Sequence, residues 1–127
     1  MPDSSTENQI RTLVKNWARA VREGDMDGVL AHHTDDVVMF DVPPPLQSKG
    51  IGAYKKTWEL FFSFQPKGGF DLSELKITAS ETVAFCHSLV RVGGEKKPQV
   101  RLTIGFRKTR GKWLIAHEHH SAPIESE

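Results

Sequence analysis

Asp41 is the residue that the sequence marks most clearly as a chemical group. It lies at the end of the apolar run 36–42 (DVVMFDV), which leads straight into the prolines at 43–45. Proline has no N–H to donate to a sheet, so a strand has to stop there. A carboxylate at the edge of an apolar layer is poorly hydrated and suited to proton transfer. The alternative is a structural aspartate that hydrogen-bonds its own turn, as aspartate commonly does before proline.

Histidines on two later predicted strands could supply the second group that acid–base chemistry needs. Strict alternation along the last predicted strand puts His117 and His119 on one face with Trp113, and His87 lies in an earlier strand. An aspartate that removes a proton beside a carbonyl needs a partner that steadies the oxyanion. We therefore predict an acid–base couple of Asp41 with His87, His117 or Tyr54, and name Asp41, His87 and His117 as the catalytic residues.

The same histidines allow two other interpretations. A His-x-His pair on a strand is commonly structural and hydrogen-bonds to a neighbour. His117 and His119 could also bind zinc with His87 as a third ligand, because catalytic zinc normally takes three protein ligands. No cysteine or aspartate stands nearby at ligand spacing. We therefore predict no metal, and no organic cofactor.

An apolar, aromatic lining is expected around these groups, as in most sites for small molecules. Arg101 is compatible with the protein surface, or with a position in the cavity where it holds an anionic group. The aromatic side chains are compatible with simple core packing as well as with a ligand platform. The predicted substrate-binding residues are Trp17, Tyr54, Trp58, Phe62, Arg101, Thr103 and His119.

Three amphipathic helices should position the aromatic residues. Apolar residues recur at three- and four-residue spacing in two segments, 10–21 and 51–62. Gly24 should stop the first helix, and Asp25 should cap a short second one that ends near His32 and His33, which we expect to be solvated. Pro66 and the glycines at 68–69 should end the third.

After position 69 the apolar period changes to two, which predicts strands. They cover Phe70–Ile77, with an irregularity near residues 73–74, then Thr82–Val92, Gln99–Lys108 and Lys112–Ser121. Short turns between long consecutive strands indicate an antiparallel meander. Helices followed by a sheet indicate an α+β fold, and no linker divides the chain, so we predict one domain over residues 1–127.

The charge balance argues against whole classes of partner. The 127 residues carry 17 basic and 16 acidic side chains, a net charge of +1. This balance gives no electrostatic footprint for nucleic acid or an anionic membrane. Cys86 is the sole cysteine, so no internal disulfide can form, and we expect a cytoplasmic protein in which Cys86 packs in the core.

Taken together, these residues resemble a known fold family. The order of elements resembles the cone-shaped fold of nuclear transport factor 2 and ketosteroid isomerase, and most closely the bacterial SnoaL-like proteins. The segments that carry the resemblance are 37–50 (VVMFDVPPPLQSKG), 84–89 (AFCHSL), 101–108 (RLTIGFRK) and 112–121 (KWLIAHEHHS). The ending, a tryptophan followed by His-x-His and Ser, also resembles the association domain of calcium/calmodulin-dependent kinase II.

The resemblance implies a pocket protein with acid–base chemistry. Asp41 matches the general-base aspartate of ketosteroid isomerases, which also use a tyrosine and a protonated aspartic acid as oxyanion donors. Trp17 and Thr103 or Ile104 stand near those two positions and cannot replace them, so true steroid isomerisation is not expected. We expect an isomerase, cyclase or dehydratase that acts on a moderately hydrophobic, oxygenated metabolite. The alternative is a non-catalytic ligand-binding or association module.

The resemblance also implies a homodimer, formed through the outer face of the sheet. One face of this predicted strand is apolar and carries Val100, Leu102, Ile104 and Phe106, and the opposite face is partly apolar as well. Both faces of the sheet are therefore expected to be covered, which gives the dimer modest support.

Overall fold

The computed structural model describes residues 4–64 and 68–124. The helices are α1 (Ser4–Glu23), α2 (Met26–Leu30) and α3 (Ile51–Phe64). The strands are β1 (His33–Phe40), β2 (Ser48–Lys49), β3 (Phe70–Ala79), β4 (Val83–Val92), β5 (Val100–Thr109) and β6 (Lys112–Ser121). The predicted α+β class is confirmed. None of the described helices is long and apolar enough to cross a membrane.

All six strands form one sheet in the order β2-β1-β6-β5-β4-β3. Strands β3 to β6 pair antiparallel in sequence order, which is the predicted meander. Strand β1 lies parallel to β6 and brings the first half of the chain against the last strand. The sheet curves around the helices, so one face is concave and buried, and the other is outer and largely exposed.

The structure confirms most of the local predictions about helix ends and strand irregularities. Gly24 follows α1 with a positive φ of 68°, and the Asp25 side chain accepts a hydrogen bond from the Gly28 N–H at the start of α2. The β3–β4 register shifts between Ser73 and Lys76, where an irregularity was expected. The predicted stop at Pro66 lies outside the described residues.

Strand β1 begins three residues earlier than predicted and ends at Phe40. The residues that were missed, His33, Thr34 and Asp35, are all polar, so they do not continue the apolar pattern. The register between β1 and β6 also breaks between His33 and Val38. Asp41 is therefore the first residue after the strand.

A bulge in β6 decides which side chains face the interior. Residue 105 pairs with His117 while residue 106 pairs with Ile115, so Ala116 is an extra residue on this strand. Trp113 and Ile115 are buried before the bulge. After it, alternation resumes one residue out of step. The prediction that His117 and His119 share a face with Trp113 is therefore wrong.

Candidate functional site

Glu118 lies at the centre of a hydrogen-bonded cluster inside the cone. The bulge turns its side chain inward, and none of it is exposed. The Tyr54 hydroxyl donates to Glu118 Oε2, and His33 Nε2 lies 3.1 Å from the same oxygen. The other oxygen, Oε1, lies 3.3 Å from His120 Nε2. One carboxylate thus joins groups from β1, α3 and β6. We call these four residues the Glu118 cluster.

His33 enters the cluster because of a left-handed turn just before it. His32 has a φ of 59°, and its carbonyl accepts a hydrogen bond from the Ile115 N–H at 2.8 Å. This contact anchors the start of β1 to β6. The His33 side chain is then fully buried. The expectation that both histidines would be solvated is correct for His32 and wrong for His33.

The hydrogen bonds of His33 define its protonation state. Nδ1 lies 2.8 Å from the carbonyl oxygen of Ala31, which can only accept, so Nδ1 carries a proton. Nε2 faces an oxygen of Glu118. With Glu118 ionised, Nε2 carries a proton as well. His33 is therefore an imidazolium, and it forms a buried ion pair with Glu118.

Glu118 stays ionised although it is buried. Burial alone would raise its pKa, because the interior disfavours a charge. Hydrogen bonds from His120 and His33, together with their electrostatic attraction, outweigh this effect and lower the pKa of Glu118 to about 2. The carboxylate can therefore only accept hydrogen bonds near neutral pH.

Tyr54 is held as a donor to the carboxylate. It is fully buried, and its oxygen accepts a hydrogen bond from the Trp17 indole N–H at 3.0 Å. Burial and the neighbouring negative charge of Glu118 raise the pKa of Tyr54 well above its ordinary value. The phenol thus keeps its proton and directs it at Glu118.

A cavity of about 360 Å³ lies next to the cluster, and His120 belongs to both. Two of its lining residues can carry a proton, Asp41 and His120. Thr57 and Trp58 come from α3. The remaining walls are apolar: Val42, Pro43, Leu60, Phe61, Phe64, Phe70, Val92, Val100 and Ala122. We call this space the cone cavity.

His120 lines the cone cavity and presents one ring nitrogen to the cluster. Nε2 bonds to Glu118, and the ring packs against Trp58 and Trp17 with centroid distances of 5.8 and 6.4 Å. Within residues 4–64 and 68–124, no group hydrogen-bonds to His120 Nδ1. This nitrogen is the only one of the ring that remains available for proton transfer.

Asp41 lies at the rim of the cone cavity, half-buried. Its Oδ1 accepts a hydrogen bond from the Val42 N–H at 2.8 Å. Both interpretations of this aspartate therefore find support, since it binds its own turn and also lines the cavity.

Three other predicted site residues lie on the outer face of the sheet. His87, Thr103 and His119 pair in register across β4, β5 and β6 and form one exposed row. Arg101 is also exposed, and its Nε donates to Ser121 Oγ at 3.1 Å. Their predicted positions in the cavity are wrong. For His119 the bulge in β6 interrupts the alternation. The β4–β5 register is unbroken, so for His87, Arg101 and Thr103 the alternation holds and the outward face was taken for the inward one.

His117 is half-buried, also away from the cavity. Its Nδ1 donates to the Val38 carbonyl at 2.7 Å, and its ring packs edge-on against Phe40. The rings of His117 and His119 lie 6.3 Å apart. In the part of the chain that the structure describes, no three His, Cys, Asp or Glu side chains are arranged to hold a metal ion.

The predicted aromatic residues are all in the interior, with different tasks. Trp58 lines the cone cavity, and half-buried Phe62 packs beside it with a centroid distance of 6.2 Å. Trp17 and Tyr54 belong to the hydrogen-bonded layer beneath. Cys86 is fully buried, as expected, and burial raises the pKa of its thiol to about 12.

Sequence reasoning missed the three residues that matter most here, Glu118, His120 and His33. Glu118 and His120 were assigned to the other face of the last strand. No local signal in the sequence marked the bulge. Bulges are common next to functional sites, and a bulge reverses the faces beyond it.

Solved structures resemble this chain over nearly its whole length. An NTF2-like protein of unknown function from Pseudomonas putida KT2440 is 35% identical, with a TM-score of 0.89 over 98% of this chain and 92% of that one. A candidate dehydratase of the NTF2-like family from Streptomyces avermitilis is 20% identical, with a TM-score of 0.77 over 97% and 100%. A candidate ketosteroid isomerase from Parabacteroides distasonis ATCC 8503 is 17% identical, with a TM-score of 0.72 over 90% and 85%. The last two show the fold alone.

A family model gives the assignment. No functionally curated protein matches the chain. The model of the SnoaL-like domain matches residues 10–125, which include the cone cavity and the whole Glu118 cluster. The chain therefore belongs to the SnoaL-like family.

Proposed function

We propose that this protein is an acid–base enzyme of the isomerase, cyclase or dehydratase type, in which His120 is the general base. The observation that supports it is the path from a buried carboxylate to the cavity: Glu118 holds His120 Nε2, and the opposite ring nitrogen lacks a protein partner in the described residues. A carboxylate that orients an imidazole also stabilises the imidazolium formed when the base takes a proton.

The charge balance of the cluster supports a base that is ready to act. His33 already balances the charge of Glu118, so no second buried cation is needed. In its neutral form His120 would donate from Nε2 and keep the lone pair on Nδ1. A proton next to a substrate carbonyl would move to Nδ1, and the bonding electrons would form the enolate. The imidazolium would then return the proton at another carbon, or protonate a leaving hydroxyl.

The substrate class follows from the walls of the cone cavity. Its volume of about 360 Å³ lies near the lower end of the range for small-molecule sites, about 300–1,000 Å³. Nine of its lining residues are apolar, and Asp41 and Thr57 add polar atoms. We propose a moderately hydrophobic, oxygenated metabolite and a reaction that needs neither metal nor organic cofactor.

Asp41 is expected to assist catalysis from the rim. Asp41→Asn should reduce base-catalysed exchange by about 10²-fold, the lower end of what a positioned acid–base group contributes. The measurement is deuterium uptake from heavy water into a panel of cyclic ketones, followed by NMR. Asp35→Asn is the matched control, since Asp35 is exposed on β1 away from the cavity. Equal exchange by the Asp41→Asn variant and the wild type would leave Asp41 as a turn residue only.

The second candidate function is an association module, and the outer face favours it. Phe85 and Val83 lie there with 46% and 58% of their surfaces exposed, beside the row of His87, Thr103 and His119. Exposed apolar side chains that lie next to each other on a sheet face can form an interaction surface. We propose a cytoplasmic homodimer formed through this face.

Sedimentation velocity at micromolar concentration should therefore give the mass of a dimer. Phe85→Glu should shift the protein toward the monomer, because it places a charge in the proposed interface. A wild type that is monomeric under these conditions would contradict the proposed dimer and leave the cone cavity as the functional site.

A further inference from the structure

A second apolar groove lies beside the cone cavity. Its volume is about 260 Å³, and it shares four lining residues with the cavity: Asp41, Pro43, Thr57 and Leu60. These four residues form a ridge with the cavity on one side and the groove on the other. The groove continues past Pro44 and Pro45 toward β2 and α3. A ligand seated in the cavity can thus extend over the ridge.

The two compartments differ in charge. Lys56, on α3, lines the groove and does not line the cavity. Across residues 4–64 and 68–124 it forms no ion pair with an acidic side chain. No lysine or arginine lines the cavity. Of the two spaces, only the groove therefore offers a lysine or arginine to an anionic group.

We propose that the ligand of this site is an amphiphilic carboxylic acid, with its apolar body in the cone cavity and its carboxylate beside Lys56 in the groove. This inference rests on the proposed function of the cavity and names its substrate class. One lysine supplies a single point charge, which suits a carboxylate. A phosphate normally gathers several donors from an arginine fork or a helix N-terminus.

Asp41 and Lys56 together would set the orientation of such a ligand. The Asp41 carboxylate lines both spaces and disfavours a second carboxylate in either, and only the groove holds a lysine that offsets this repulsion. Lys56 favours the same group on the far side of the ridge. The reacting end of the ligand would then face His120, and the acid end would stay outside.

The groove is also largely preformed. Proline fixes its own φ, so three consecutive prolines make a stiff wall. Little conformational entropy is then lost when an arm of the ligand lies against it. The volumes of cavity and groove together fall well inside the range of about 300–1,000 Å³ for small-molecule sites.

A pair of probes that differ only in charge tests the inference. Naphthylbutanoate and its primary amide have the same apolar body and arm. Their dissociation constants would be measured by quenching of tryptophan fluorescence, since Trp58 lines the cavity. The acid should bind roughly two- to fivefold tighter than the amide, as expected for a partly exposed ion pair. The preference should shrink at about 1 M salt, which screens exposed charges.

Two lysine variants test whether Lys56 supplies the positive charge that favours the acid. Lys56→Gln should abolish the preference for the acid and leave binding of the amide unchanged. Lys55→Gln is the matched control, because Lys55 is an exposed neighbour on α3 that lines neither space, and it should keep the preference.

The outcomes separate this inference from the proposed function. Equal binding of acid and amide by the wild type, or an equal loss of preference in both variants, would overturn the inference and leave the cavity function in place. Binding of neither probe would overturn both.

Discussion

Replacing Glu118 by glutamine is expected to lower the free energy of unfolding near pH 7 by about 3–5 kcal/mol, the cost of breaking a buried ion pair from one side. The glutamine amide can still accept from Tyr54, but it cannot balance the His33 imidazolium, whose side chain is fully buried. Denaturant unfolding followed by circular dichroism would measure the loss.

Two further variants test whether the loss of stability comes from breaking a buried ion pair or from removing any charged side chain. Asp36→Asn breaks an exposed ion pair with Arg107 and should change the free energy of unfolding little, because solvent screens such pairs. The double variant His33→Gln/Glu118→Gln should lose less than the sum of the single losses, because removing both partners leaves no unpaired charge. Strict additivity would mean that His33 and Glu118 do not interact as described.

The same ion pair predicts how stability depends on pH. The pKa of Glu118 is lowered to about 2 in the folded protein from an ordinary value of 4.5. The unfolded chain therefore binds more protons between these values, so stability is present above about pH 4.5 and is lost as the pH falls toward 2. The contribution is on the order of 3 kcal/mol, and this part of the acid dependence should be absent from the Glu118→Gln variant.

His120→Gln should reduce catalysed deuterium exchange by about 10²–10⁴-fold, the usual contribution of a general base. Glutamine keeps a side chain of similar reach that can donate to Glu118, but it offers no basic nitrogen to the cavity. The substitution replaces a ring that packs between two tryptophans, so the free energy of unfolding must be measured in parallel.

His119→Gln is the matched control for this experiment, because His119 is the neighbouring histidine on the outer face. It should leave exchange by the protein unchanged. The opposite result, with His119 essential and His120 dispensable, would place the chemistry on the outer face and contradict the proposed base.

The elements of this fold were predictable from local patterns, whereas the Glu118 cluster was not. Helical periodicity, glycine stops and the two-residue alternation of the strands are properties of neighbouring residues. The ion pair between His33 and Glu118 joins residues 85 positions apart, and it depends on a left-handed turn at His32. Few non-glycine residues adopt that conformation, so nothing local indicated where His33 would point.

The position of Asp41 was predictable, whereas that of His120 was not. The place of Asp41 at the end of an apolar strand before proline was visible in the sequence, and the structure places it at the cavity rim. The histidine that lines the same cavity was not visible, since alternation without a bulge selects His119 rather than His120. Residue types alone could not distinguish His119 from His120.

The extra residue at Ala116 has a consequence for how functions are transferred between homologues. In a relative whose last strand lacks this residue, the same letters Glu-His-His would present the opposite side chains to the interior. An alignment that omits the one-residue gap would then assign acid–base roles to surface residues of the relative. Comparisons within the family should therefore match strand registers at this position before they match residue identities.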